Sequence, residues 1–170
     1  MKRNRIQKKL VSLCLGELAA SITFVIVFIY TLRISLGLSI DVVMVYPFSM
    51  LIFILLQGSF YWFYSIRKIK DKIKDRRVFV KTYRFLRYLD LIVIAAYPFV
   101  LVYLFVNGIV LIRRIENLVA IFIYLFGVAE YVNYFYIRLS YSKMDDIIKL
   151  IKLKNLRSAS LYKELNKKDI

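Results

Sequence analysis

The stretch LVSLCLGELAASITFVIVFIYTL, residues 10–32, decides the class of fold because it is long, apolar and carries one charged residue, Glu17. About 20 mostly apolar residues in a helix cross a bilayer core of ~30 Å. A basic start precedes the stretch, as in a signal peptide. It is longer than the ~7–15 apolar residues of a signal sequence, and no small-residue cleavage site follows it. We therefore interpret it as a retained transmembrane helix.

Three further apolar runs follow at about residues 42–64, 88–112 and 118–139. The chain is 61% hydrophobic with a mean hydropathy of +0.63, whereas soluble domains are about 45–50% apolar. The loops that join the first pair and the second pair of runs are short, which favours antiparallel neighbours. We predict an all-α integral membrane protein whose four transmembrane helices, within residues 10–139, form two antiparallel hairpins.

The basic residues predict the orientation. The arm of residues 1–9 carries five, the loop of residues 66–87 carries ten, and the tail from Arg138 onward carries nine. The two remaining loops carry three. Cytoplasmic loops are enriched in Lys and Arg, so we expect both termini in the cytoplasm. The richness in Ile, Lys and Tyr is typical of an AT-rich genome, and we expect a bacterial plasma membrane.

Polar residues inside the spans are the candidate functional groups. Glu17, Gln57, Glu130 and Asn133 lie at similar distances from the cytoplasmic ends of three spans, so we predict one polar layer. Ionisable residues cost at least ~2.5–3.5 kcal/mol at the centre of a membrane helix, and they normally face the bundle interior or a cavity. We expect Asp90 near the cytoplasmic mouth of the third span.

Three interpretations of this layer stay open. It could bind a cation or a proton, or it could accept a basic group from another membrane protein. In the third, purely structural interpretation, Glu130 pairs with Arg138, or is protonated and bonded to Gln57 or Asn133. Asp90 and Arg138 are the candidate pairing residues.

The cytoplasmic segments indicate contact with lipid. Residues 66–75 extend the second span, and apolar residues at helical spacing predict a short amphipathic helix within the basic tail of residues 140–170. Anionic headgroups attract such segments. The candidate headgroup-binding residues are Lys68, Lys72, Arg76, Arg77, Lys149 and Lys152. Residues 158–170 are polar and are expected to fray. Nucleic acid is not an expected partner, because the charges follow the membrane boundaries and no known module is present.

Small residues and prolines give two further predictions. Ser12, Gly16 and Ala20 recur every four residues, a spacing that lets another helix approach closely. The triplet Tyr-Pro-Phe occurs twice, around Pro47 and Pro98. Each proline lacks a backbone N–H and should kink its helix.

The chain lacks the usual catalytic patterns. It has no histidine and one cysteine, Cys14, and it contains no G-x-S-x-G or phosphate-binding loop. We predict no enzyme activity, no metal and no cofactor. The favoured function is contact with another membrane protein, as an accessory subunit, a regulator or an immunity-type protector. The alternative is an oligomeric transporter or channel subunit with Glu17 and Glu130 as cation ligands.

Overall fold

The computed structural model describes residues 2–30, 42–69, 76–108, 115–137 and 159–166. These ranges contain five helices and no strand: α1 (Lys2–Val27), α2 (Val42–Ile69), α3 (Arg76–Val106), α4 (Ile115–Phe135) and α5 (Ser160–Leu165). The amphipathic helix predicted before residue 158 lies outside the described residues, as do Lys72, Arg138, Lys149 and Lys152.

Four helices are long and apolar enough to cross a membrane, which confirms the all-α class. The candidate spans are Gln7–Tyr30, Val42–Ile69, Arg76–Val106 and Asn117–Phe135. The predicted extension of the second span is helical to Ile69, where the description of α2 ends, whereas α3 begins at Arg76, so the predicted loop is helical over residues 76–87. That part of the prediction was wrong: the segment is basic, but no Gly or Pro interrupts it, and basic residues are good helix formers.

Helix α2 lies between α1 and α4 and approaches both closely. The thiol of Cys14 on α1 lies 3.5 Å from the backbone oxygen of Ser59. Towards the other end of the same pair, the ring of Phe28 stacks on that of Phe48 with centroids 3.9 Å apart. These contacts make α1 and α2 antiparallel. The grouping into two hairpins stays a prediction, since α4 approaches α2 more closely than it approaches α3.

Two glycines allow the close approach of α2 and α4. A Cβ atom on Gly58 would lie 2.5 Å from the ring of Tyr134, and one on Gly127 would lie 2.5 Å from the methyl group of Met50. A Cβ on Gly16 would meet nothing within 4 Å. Within the described chain, Gly58 and Gly127 therefore mark the close contacts, and the contact expected at the stripe around Gly16 stays a prediction.

At the first Tyr-Pro-Phe triplet, a tyrosine of another helix donates a hydrogen bond to the backbone carbonyl that the proline leaves without its helical donor. Pro47 has no N–H for the oxygen of Val43, its partner one turn earlier in α2. The Tyr97 hydroxyl of α3 donates to that oxygen at 2.9 Å. Tyr97 is fully buried. The helix continues through the proline, with its missing bond replaced from outside.

The second triplet repeats this arrangement in α3. Pro98 leaves the oxygen of Ile94 without its helical donor, and the Tyr124 hydroxyl of α4 donates to it at 3.1 Å. The Tyr46 hydroxyl of α2 donates to the neighbouring oxygen of Val93 at 2.9 Å. Three tyrosines therefore fix how α2, α3 and α4 cross; we call the region around Pro47 and Pro98 the proline crossing.

Helix α5 folds back onto one end of the bundle. This end carries Lys8, Lys9, Lys68, Arg76 and Arg77, and we call it the basic end. Leu161 and Leu165 are buried in a hydrophobic cluster that includes four tyrosines of α2, α3 and α4. The expectation that residues 158–170 fray was wrong for residues 159–166, because two leucines four residues apart form one apolar face.

Ion pairs hold α5 in place. The carboxylate of Glu164 accepts from Lys68 Nζ at 2.6 Å and from Arg76 Nε at 3.0 Å. Partial burial opposes its ionisation, but these hydrogen bonds outweigh that effect and lower the pKa of Glu164. The Arg84 guanidinium donates to the oxygen of Leu165 at 2.9 Å, which satisfies a carbonyl at the helix end. Lys68 and Arg76, predicted to bind headgroups, are thus engaged within the protein, whereas Arg77 is exposed.

Candidate functional site

A cavity of about 80 Å³ lies at the basic end, where α1, α2, α4 and α5 meet. Its volume is several times the ~10–15 Å³ that a cavity needs to hold one water molecule. The residues that line the cavity come from several helices: they are Leu13, Glu17, Tyr61, Trp62, Asn133, Tyr134, Ala159, Ser160 and Leu161. One carboxylate, three large aromatic side chains and several polar groups therefore face one space.

Each element contributes through its own helical geometry. Leu13 and Glu17 are four residues apart on α1 and so lie on one face. Gly58 leaves room for the ring of Tyr134 above α2. Helix α5 closes the basic side of the cavity, where the N–H of Ala159 donates to the oxygen of Tyr136 at 2.9 Å.

Glu17 is the acidic group of the cavity. The indole N–H of Trp62 and the hydroxyl of Tyr134 both lie beside its carboxylate. Neither donor completes a hydrogen bond of normal geometry. Tyr134 is 6% exposed, so its hydroxyl has no compensating access to bulk water. Buried polar groups without partners are rare in proteins; among the described residues, the others are Gln57 Oε1, Ser59 Oγ and Asp90 Oδ2, outside the cavity.

Glu130 lies behind the cavity wall, within electrostatic range of Glu17 and Tyr134. Its Oε2 atom accepts from Asn133 Nδ2 at 3.2 Å, which is one of the contacts that the structural interpretation allows. Among the described residues, no lysine or arginine forms an ion pair with Glu17 or Glu130. The proposed pairing with Arg138 stays a prediction, because Arg138 lies outside the described ranges.

Gln57 does not join this cavity, so the predicted polar layer is divided in two. Its Nε2 donates to Asp90 Oδ1 at 2.8 Å, and its backbone oxygen accepts from the Tyr83 hydroxyl at 2.7 Å. Asp90 is 1% exposed. Placing Asp90 near the mouth of its span was wrong, because α3 begins earlier than the apolar run and carries Asp90 into the bundle.

Sequence reasoning missed Trp62, Tyr134 and Ser160 as cavity residues. Trp and Tyr near the end of a span are common at membrane surfaces, so the positions of Trp62 and Tyr134 did not indicate a further role. The available signal was the spacing of Glu130 and Tyr134, which are four residues apart and share a helix face. Ser160 carried no such signal, since the folding back of α5 depends on contacts distant in the chain.

The cavity has the composition of a binding site for a positively charged group. A carboxylate attracts cations directly, and aromatic rings attract them through the negative potential of their faces. Within the described residues, no group of three or more Cys, Asp or Glu side chains is arranged to hold a metal ion. No protein-family model, curated protein or solved structure matches this chain.

Proposed function

We propose that this chain is a non-enzymatic multi-pass membrane protein that acts through contact with another membrane protein. It would serve as an accessory subunit, a regulator or an immunity-type protector. The observation that carries the proposal is the acidic cavity at the basic end. Glu17 faces this cavity, Glu130 lies behind it, and the described part of the chain supplies neither with a cationic partner.

The energetics favour a partner with a basic group. A charge held away from bulk water costs several kcal/mol unless another charge or hydrogen bonds offset it. Two carboxylates close to one another add repulsion. A basic side chain of a neighbouring membrane protein, inserted between α1, α2 and α4, would offset both costs. The cavity is then occupied by the partner's basic group only when the two proteins associate.

The distribution of charge supports a cytoplasmic location for this contact. Under the positive-inside rule, the basic end faces the cytoplasm of a bacterial plasma membrane. Exposed basic residues such as Arg77 would meet anionic headgroups there. The partner's basic group would then enter from the cytoplasmic side of the bilayer, near Trp62, an aromatic residue of the kind enriched at that level.

The test is crosslinking in native membranes followed by affinity purification, comparing the parent with Glu17→Gln. We expect one membrane protein to be recovered with the parent and to fall by about tenfold with the variant, the loss typical of one charge-assisted hydrogen bond. Asp90→Asn is the matched control: it removes a buried carboxyl outside the cavity and keeps an oxygen that can accept from Gln57.

Two results would contradict the proposal. Equal recovery with Glu17→Gln would show that the cavity is not the contact. Recovery of no partner with the parent would remove the function itself, and would favour the alternative of an oligomeric transporter or channel subunit. That alternative predicts cation flux in reconstituted vesicles that Glu130→Gln abolishes.

A further inference from the structure

The side chains of the cavity at the basic end have the chemistry that proteins use to bind ammonium groups. Glu17 supplies a carboxylate, and Tyr61, Trp62 and Tyr134 supply aromatic walls. A charge-assisted hydrogen bond from an ammonium to a carboxylate is about twice as strong as a neutral one. Aromatic rings around a cation are a recurrent way to recognise ammonium ligands. Both features occur here in one space.

An unpartnered hydroxyl gives an independent indication of a ligand. Tyr134 is 6% exposed and lines the cavity, yet its hydroxyl makes no hydrogen bond of normal geometry with any of the described residues. A hydroxyl oxygen can accept two hydrogen bonds, and an ammonium group has three donors and no acceptor. One ammonium can therefore donate to Glu17 and to Tyr134 Oη, with its third donor left for Ser160 or water.

The size and shape of the cavity narrow the class of ligand further. A space of about 80 Å³ accepts the end of an alkyl chain with its charged group. Guanidinium is less suited, because its planar fork carries five donors and one carboxylate pairs with only two of them. The lining offers one carboxylate, since Glu130 stands behind the wall and accepts from Asn133.

We propose that this cavity binds a primary alkylammonium group, as at the end of a lysine side chain. The inference rests on the proposed function and deepens it, because it names the group that the partner would insert. It also makes a separate claim: a small alkylammonium ion binds to the isolated protein without any partner.

The chain itself supplies the reporter. Its single tryptophan, Trp62, lines the cavity, so intrinsic fluorescence of the full chain reports on occupancy. The experiment titrates butylammonium chloride into the protein in an uncharged maltoside detergent, with sodium chloride keeping the ionic strength constant. We expect a saturable change in Trp62 emission, weakened by about tenfold or more in Glu17→Gln through loss of the charge-assisted bond. Tyr134→Phe should weaken it by a smaller factor.

Several controls keep the result decisive. Butanol tests whether an uncharged chain of the same length gives the same change, and butylguanidinium tests the choice of cation. The inference is overturned by no saturable change in the parent, by an equal change with butanol or sodium ions, or by tighter binding of butylguanidinium. Circular dichroism and elution volume check the fold of each variant. If Glu17→Gln does not fold, Tyr134→Phe carries the comparison.

The two proposals fail in different ways. Binding of butylammonium by a protein for which no partner is recovered would support the ammonium site and contradict the proposed function. A partner lost in Glu17→Gln, together with no binding of butylammonium, would support the function and contradict the ammonium site.

Discussion

The proline crossing and the cavity at the basic end treat buried polar groups in opposite ways. At the crossing, Pro47 and Pro98 each leave a backbone oxygen without its helical donor, and tyrosines of other helices donate to both. At the cavity, Trp62 and Tyr134 carry buried donors that complete no normal hydrogen bond. Both regions use tyrosine hydroxyls, but the Tyr134 hydroxyl of the cavity, unlike those at the crossing, has no such partner within the described chain.

This difference indicates which region serves stability and which serves binding. An unsatisfied buried polar group costs about 1–3 kcal/mol, so a protein that tolerates two in one cavity accepts a local loss of stability. Such departures from complete satisfaction are expected at functional sites. The tyrosines of the proline crossing hold the helices together, whereas the Tyr134 oxygen can accept a hydrogen bond from the proposed ligand. Substitutions can separate these roles.

The largest effect is expected at the glycine that supports the cavity. Gly58→Ala would place a methyl group against the Tyr134 ring, and overpacking of this kind costs about 1–3 kcal/mol. It should also abolish butylammonium binding, because Tyr134 must move. Denaturant unfolding in detergent measures the cost. Gly16→Ala is the control, since a Cβ at that position would meet no atom of the described residues outside its own helix within 4 Å. Equal destabilisation by both substitutions would contradict the account.

A tyrosine of the crossing should show a large loss of stability. Tyr97→Phe removes the donor to the Val43 oxygen and should destabilise the protein by about 1–3 kcal/mol, with no effect on butylammonium binding. Pro47→Ala restores a backbone N–H to the same oxygen. The cost of Tyr97→Phe should therefore shrink in the Pro47→Ala background. Additive effects in this double-mutant cycle would show that the hydroxyl does not replace the missing helical bond.

A smaller effect is expected where α5 closes the cavity. Glu164→Gln removes the pairs with Lys68 and Arg76, which as partly exposed ion pairs are worth less than about 1 kcal/mol. Hydrogen exchange should rise in residues 159–166 and remain unchanged at the proline crossing. Because the folded state lowers the pKa of Glu164, its contribution is complete above the ordinary carboxyl pKa. It is lost as the pH falls through the lowered value. A uniform rise in exchange would contradict this assignment.

The smallest loss of stability is expected from the tyrosine of the cavity. Tyr134→Phe removes a buried hydroxyl that makes no normal hydrogen bond with any described residue. Because such a hydroxyl costs about 1–3 kcal/mol, the free energy of unfolding should not fall and should rise by up to that amount. Butylammonium binding should weaken all the same. Tyr97→Phe makes the same chemical change in the same bundle, so the two substitutions together test the difference between the proline crossing and the cavity most sharply. Equal destabilisation by both would contradict that difference.

The sequence predicts the spans well and their packing poorly. Apolar length identified the four spans, because the bilayer thickness acts on each helix independently. The contacts from Tyr97 to Val43 and from Gln57 to Asp90 depend on how helices distant in the chain rotate against each other. Apolar periodicity says little about rotation when lipid covers much of the surface. Apolar periodicity therefore did not show which face of α1 meets another helix. The stripe at Gly16 was expected at a helix contact, whereas Gly58 and Gly127 form the contacts within the described chain.

The candidate site was predicted in part. Glu17, Glu130 and Asn133 were identified by their depth in the spans, because ionisable residues there are costly. Gln57 and Asp90 turned out to form a separate buried pair. The aromatic walls were missed, because Trp and Tyr near a span end have a sufficient explanation in the membrane interface. The closure of the cavity by α5 was also missed. It depends on Leu161 and Leu165, and two leucines four residues apart are a weak signal in a polar tail.

The most direct test of the central claim, that the cavity contacts another membrane protein, is photocrosslinking in native membranes from a benzophenone amino acid at Leu13, which lines the cavity. The same group at Phe99, which is 76% exposed on α3, is the control. The account predicts an adduct with one membrane protein from position 13, lost on Glu17→Gln and absent from position 99. Lipid adducts alone from both positions, or a protein adduct unchanged by Glu17→Gln, would contradict it.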